Sequence, residues 1–156
     1  MEIRSILTSS RTHSSLAAAS KKKAIEEASR QIALDCEDLE AQEIYERLIS
    51  REKIGTTAIG HGIAIPHCRV DDCEQIVGSL FRLDEPVDFE SFDDEPVRIL
   101  FVLLVPKNEV EDHLETLALL ATRFENTSYR QRLFEARDDE ELFNEAVADL
   151  EDAKPA

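Results

Sequence analysis

No stretch of this sequence approaches the run of about 18 apolar residues that a membrane-spanning helix requires. Its opening residues, Met1-Glu2-Ile3-Arg4-Ser5, lack the basic region and apolar block of a secretory signal. Cysteine is scarce and odd in number: Cys36, Cys68 and Cys73 have spacings that suggest no disulfide framework, which fits a reducing compartment. These absences together lead us to expect a cytoplasmic protein. Basic residues are also few, with 18 Lys and Arg against 34 Asp and Glu, giving a formal net charge of −16. Nucleic-acid affinity depends on cations that displace counterions from phosphates, so direct DNA or RNA binding is not expected. There is no Walker-type phosphate loop, Gly60-x-Gly62 lacks the third glycine of a dinucleotide site, and no nucleophile-elbow motif supports Ser-His-Asp chemistry. The residues therefore point to no cofactor.

What is present describes an ordinary globular chain. It has 156 residues, 42% of them hydrophobic, with four glycines and five prolines, enough for one domain with its own core. That domain is expected over 1–150, with a frayed tail at 151–156 and no internal repeat. The acidity suits a basic protein partner, whose approach it would steer, and equally suits solubility or a saline habitat.

Helical spacing of Ala24, Ile25, Ala28 and Ile32 behind a capping Ser20 predicts a helix over 21–34, and Ala41, Ile44, Tyr45, Leu48 and Ile49 predict a second over 38–51. Residues 8–20, rich in Ser, Thr and Ala, read as a loop, and Ile3, Ile6 and Leu7 before them as an edge strand. Three extended segments follow at Ala58–Ile65, Ile76–Leu83 and Val97–Val105. The last is too continuously apolar for a strand with a wet face, so it is placed at the centre of a sheet. Pro106 ends it, and Asn108 with Glu111 resembles a capping box opening a long helix through Phe124. Helices over 128–136 and 138–150 complete the chain. Helices before, between and after strands predict an α/β (α+β) fold, a mixed sheet with helices on both faces.

The chemistry centres on Gly60-His61-Gly62-Ile63-Ala64-Ile65-Pro66-His67. Pro66 fixes its own φ and biases Ile65 towards an extended conformation, so a stiff apolar segment delivers His67 at a sheet rim. A neutral imidazole, with an unperturbed pKa of about 6.5, is a nucleophile that can accept a phosphoryl group without a strong base. A structural histidine bonded at a strand end is the alternative. Arg51, at the end of the second helix, could grip phosphate oxygens, or could be an exposed helix-terminal arginine. His113, in the first turn of the long helix, could point at the sheet rim, or be an exposed helical histidine. His13 reads as a solvated side chain. A metal set of His61, His67, Cys68 and Cys73 is chemically conceivable, but an extended strand separates the two histidines by about 20 Å.

The run from Glu52 through Ile59-Gly60 to Ile63-Ala64-Ile65-Pro66-His67-Cys68 resembles the phosphohistidine signature of fructose/mannitol-type IIA components (EIIA type-2) of the phosphotransferase system. The likeness extends to Arg51-Glu52-Lys53, to the Leu-Leu-Val-Pro end of the third strand and to His113-Leu114-Glu115-Thr116-Leu117, and is greatest for the nitrogen-regulatory branch. The resemblance implies a roughly five-stranded mixed sheet between helices. It implies that His67 accepts phosphate at Nε2 from an HPr-like carrier fed by phosphoenolpyruvate, that His113 is the second active-site histidine, and that Arg51 stabilises the phosphoryl group. The protein would be an enzyme only as a phosphotransfer component. Its main role would be to regulate partners such as potassium-transport or sensor-kinase proteins according to its phosphorylation state. A IIA transport subunit of a fructose-type permease shares this chemistry, and a zinc-binding or scaffolding module is the competitor from another class. Two positions depart from the branch's pattern. His61 replaces a common asparagine and would add a titratable group beside the site. Cys68 replaces a common glycine, and a lowered thiol pKa beside a cationic histidine would make it oxidation-sensitive.

Overall fold

A computed structural model describes residues 2–107 and 110–148, with side chains from 113 onward in the second span. The apolar run Val97–Val105 forms β6, the strand around which the sheet is built. It pairs antiparallel with β5 (Val77–Val87) on one side and parallel with β3 (Ile63–Ala64) and β4 (His67–Arg69) on the other. β1 (Thr12–Leu16) adds parallel to β5, and β2 (Ala58–Gly60) adds antiparallel to β3. Side chains alternate across β6. Ile99, Phe101, Leu103 and Val105 join a core with Leu120, Phe124, Tyr129 and Leu142, while Leu100, Val102 and Leu104 join another with Ile25, Ile32, Ile44 and Leu48. A strand wetted on neither face can be apolar throughout.

The helices are α1 (Lys21–Asp35), α2 (Ala41–Ile54), α3 (Val110–Glu125), α4 (Thr127–Glu135) and α5 (Asp139–Val147). α1 and α2 cover one face; α3, α4 and α5 supply the other core. Ser20 caps α1 by accepting the Lys23 N–H. The last helix, expected to reach 150, ends at Val147, where the extended Ala148 donates its N–H to the Asn144 carbonyl; the expected capping pair Asn108 and Glu111 and the tail at 151–156 lie outside the described residues and side chains.

Three local expectations are corrected. The Ser- and Thr-rich segment contains strand β1, because its polar side chains find partners that only the fold supplies: Ser14 donates to Asp139 (2.7 Å), Ser15 to Asp84 (2.6 Å), and His13 pairs with Asp35 (2.8 Å). His13 is half-buried, with its ring stacked on Phe81, so it is not a solvated side chain. The Ile3–Leu7 patch is not a strand either. It forms a buried 3-10 turn whose Ile6 carbonyl accepts the Gly78 N–H at 2.7 Å, and a Cβ at Gly78 would lie 2.9 Å from that oxygen.

The third correction concerns the approach to His67. Ala58–Ile65 is not one strand: β2 and β3 form a hairpin turning at His61 and Gly62, with φ of 58° and 81°. Two successive positive φ angles are the signature of a tight turn whose twist matches the flanking strands, and histidine tolerates that conformation better than most residues. After β3, Pro66 interrupts the ladder without shifting it. Ile63 lies opposite Ile99 and His67 opposite Leu103, the same offset, and the Pro66 carbonyl accepts the Leu103 N–H at 2.9 Å. The six strands therefore occupy five positions, with β3 and β4 end to end along β6.

Candidate functional site

His67 opens β4, and strand alternation sends the following Cys68 into the core shared with α1 and α2 while keeping His67 and Arg69 on the opposite side. The His67 Nδ1 lies 2.8 Å from the Ile65 carbonyl oxygen. A carbonyl can only accept, so Nδ1 carries the proton and, in the neutral ring, Nε2 carries the lone pair. Burial holds the His67 pKa below its ordinary value, and the Arg51 guanidinium pushes the same way; the bond to Ile65 and the Glu52 carboxylate oppose them. The ring is held neutral in one tautomer.

α3 brings His113 against it, with ring centroids 5.1 Å apart and planes at 63°. The His113 pKa is lowered by burial first, then by His67, Arg69 and Arg51. Its Nε2 is buried and has no hydrogen-bond partner among the described residues. Arg51 lies in the last turn of α2, where its Nη1 donates to the Gly55 carbonyl at 2.8 Å. Behind it, the buried Glu52 carboxylate accepts from Thr57 N (2.9 Å) and Thr57 Oγ1 (2.8 Å) and pairs with Lys21 Nζ (3.0 Å). This ties the end of α2 to α1 and to the start of β2, so the turn carrying Gly55 is held in place.

His67, His113 and Arg51 share a cavity of about 430 Å³ with Arg47, Ser50, Ile54, Cys68 and Arg69. In a chain with almost twice as many acids as bases, the lining holds three arginines, two histidines and, among the described residues, no carboxylate. A larger groove of about 970 Å³ runs past Tyr45 and Ile49 of the same helix, but its Lys21, Lys22 and Lys53 face Glu46, Glu52 and Glu90, and it contains no histidine. Arginines around a neutral imidazole can neutralise a phosphoryl group, whose equatorial oxygens need cationic or N–H donors during in-line transfer.

Sequence reasoning missed Arg47, Ser50, Ile54 and Arg69. Helical spacing carried the signal for Arg47 and Ser50, which share a stripe with Arg51; Ile54 joins it only because α2 runs three residues past the expected end at 51, and strand alternation carried the signal for Arg69, two residues after His67. His61 is not brought to the cavity. It is exposed at the β2–β3 turn, where its N–H donates to the Asp93 carboxylate at 2.8 Å. Cys68 does line the cavity, but the expectation of a lowered pKa is reversed: burial pushes its thiol up to about 12. Cys73 is pushed to about 11 for the same reason. Among the described residues, no three histidine, cysteine or acidic side chains gather where they could hold a metal ion.

Residues 5–146 match the family model described as the phosphoenolpyruvate-dependent sugar phosphotransferase system, EIIA 2. A nitrogen regulatory protein of Pseudomonas aeruginosa is 38% identical, the match covering 99% of each chain. That of Escherichia coli K12 is also 38% identical, over 97% of this chain and 92% of the relative. The crystal structure of nitrogen regulatory protein IIA-Ntr from Neisseria meningitidis superposes with a TM-score of 0.85 at 37% identity, over 92% of this chain and 98% of that one. IIA mannitol from Escherichia coli shares the fold at a TM-score of 0.74 and 22% identity, over 90% of this chain and 98% of that one.

Proposed function

The chain belongs to the EIIA type-2 family of the phosphoenolpyruvate-dependent sugar phosphotransferase system, and from that premise we propose that it is a regulatory phosphoprotein whose His67 accepts a phosphoryl group from an HPr-like carrier. In the transfer, His67 Nε2 attacks phosphorus in line, its N–P bond forming as the N–P bond to the carrier's histidine breaks, and the carrier's imidazole leaves with that electron pair. No base is needed, because the Nδ1 proton is already committed to Ile65 and Nε2 is already a lone pair. Arg51 turns from the Gly55 carbonyl to the phosphoryl oxygens, and His113, in the tautomer with a proton on Nε2, donates to one of them. The observation that carries this reading is the 2.8 Å bond from His67 Nδ1 to the Ile65 carbonyl, which leaves the Nε2 lone pair for a cavity that Arg47, Arg51 and Arg69 line.

Phosphorylation adds about −1.5 to −2 charge at this arginine-lined mouth. Partners that meet the cavity with apolar groups then prefer the unmodified protein, and those that bring cations prefer the modified one. This is the physical basis for the regulation of transport or sensor-kinase partners that the family resemblance implies. A relay fed by phosphoenolpyruvate operates in the cytoplasm.

Incubation with phosphoenolpyruvate, enzyme I and an HPr-like carrier tests the proposal. Intact-mass analysis should show a gain of one phosphate in the wild type and in His61→Asn, whose turn position asparagine also tolerates, and none in His67→Ala. Absence of the gain in the wild type overturns the reading.

A further inference from the structure

We infer that the groove between α1, α2 and the loop carrying Glu90 is a second ligand site, and that it takes a small phosphate ester with an apolar body. Its volume of about 970 Å³ lies at the upper end of the range for small-molecule sites, about 300–1,000 Å³. Its carboxylates are all engaged. Glu46 accepts from the Gln42 amide at 3.0 Å, Glu52 from Thr57 Oγ1 at 2.8 Å and from Lys21 at 3.0 Å, and Glu90 lies 3.8 Å from Lys21. The donors are not engaged. Lys22, Lys53, Tyr45 and Ser50 line the same groove, and none of their side chains makes a hydrogen bond or ion pair with a described residue. Among the described residues the groove therefore has donors to spare, which an oxyanion would satisfy.

The two free ammonium groups are brought to one groove by the pair that is not free. Lys21 Nζ on Glu52 Oε1 ties the first turn of α1 to the last turn of α2, and Lys22 and Lys53 are the next residue on each helix. A ligand leaves that pair in place, because the Glu52 side chain is 5% exposed and would be stranded without Lys21. Two point charges on flexible stems suit a phosphate dianion. Ile49 and the Tyr45 ring, both half-buried, add apolar wall, so inorganic phosphate alone leaves part of the site unused.

The groove also adjoins the phosphoacceptor cavity. Ser50 lines both, and Gly55, whose carbonyl holds Arg51, lines the groove. On the phosphoryl-acceptor reading above, on which this step rests, the ligand and phosphohistidine are like charges on adjoining faces of one helix turn. They repel, and each weakens the other by the same factor, about fivefold. The ligand is thereby an antagonist of the phosphorylated state.

Titration of isotope-labelled protein, followed by its amide NMR shifts, tests the site with phenyl phosphate as the probe and inorganic phosphate and phenol as its two halves. The amides of Lys22, Tyr45, Ile49 and Lys53 should shift saturably, with phenyl phosphate binding about fivefold tighter than either half. In Lys22→Gln/Lys53→Gln, where both changed residues are exposed, affinity should fall about tenfold while the remaining spectrum stays that of the folded wild type. Shifts that gather at Arg47, His67 and Arg69 instead, the absence of saturation, or an undiminished affinity in the double variant overturns the inference. Protein phosphorylated through the carrier should bind phenyl phosphate about fivefold more weakly than the unmodified form; equal affinity in the two forms overturns the antagonism. If the carrier fails to modify the wild type, the phosphoryl-acceptor reading falls, while the titration still decides the site.

Discussion

His67 and His113 meet edge to face with ring centroids 5.1 Å apart, one carried by a strand held along β6 and the other by the first turns of α3. Each lies in the other's field, and burial lowers both pKa values, so the pair is kept neutral where an exposed pair would be partly charged.

The pH response follows from that neutrality. An unfolded histidine titrates near 6.5, and both rings titrate lower when folded. Between those values the unfolded chain binds more protons, so stability is full above about pH 6.5 and declines as pH falls through the folded values. The His67 lone pair survives to lower pH for the same reason, so phosphorylation by phosphoramidate should lose less than half its rate at about pH 6.5, where an unperturbed imidazole would be half protonated. A rate halved at about pH 6.5 or higher would contradict a depressed His67 pKa.

Arg51 is expected to act mainly on the transition state. Its replacement by alanine removes the only cavity arginine tied to the turn behind His67, and should slow transfer by about a hundredfold or more, as loss of one preorganised charge-stabilising donor does elsewhere. Lysine at this position should restore part of the rate, because it returns the charge but not the two-pronged geometry. Single-turnover kinetics would separate this from weaker docking, and an effect confined to carrier affinity would count against the assignment.

Glu52 supports the site without touching the cavity. Its carboxylate is nearly buried and is held by Thr57 N, Thr57 Oγ1 and Lys21 Nζ. Glu52→Ala would strand the Thr57 donors and leave Lys21 only the longer pair with Glu90 at 3.8 Å, and should cost about 3 kcal/mol in urea denaturation. Phosphotransfer should slow even under conditions where the variant remains folded, since the 55–57 turn loses its anchor. Wild-type stability in that variant would show that the network is dispensable.

Cys68 should be inert despite its place beside the phosphoacceptor. With its pKa pushed to about 12, the thiolate is scarce at neutral pH. Iodoacetamide at pH 7.5 should leave Cys68 unlabelled until the protein unfolds, and peroxide should slow phosphorylation of wild type and Cys68→Ala equally. Rapid labelling of Cys68 in the folded protein would reverse this conclusion.

Much of the scaffold was legible from local pattern. The apolar run of β6 could belong only to a strand covered on both faces, and the spacing from Ala24 to Ile32 behind Ser20 located α1 to within a residue of its end. β1 was not legible, because Ser14, Ser15 and His13 look like loop residues until Asp139, Asp84 and Asp35 arrive from distant parts of the chain. The β2–β3 hairpin was hidden for another reason: a histidine occupies the middle of three successive positive-φ positions, Gly60, His61 and Gly62, and the apolar residues on either side read as one strand.

The same division runs through the candidate site. The order of residues by itself determined that a proline would stiffen the approach to His67, that Cys68 and Arg69 would alternate after it, and that residues 47, 50 and 51 would share a helix face, because strand and helix periods are properties of the local backbone. Only the tertiary structure decided that the α2 stripe, β4 and α3 close on one arginine-lined cavity, that His113 meets His67 while His61 does not, and that Cys68 is buried deeply enough to raise its pKa. Those outcomes depend on which elements pack together and how much water they exclude, and neither is encoded within any one segment of the chain.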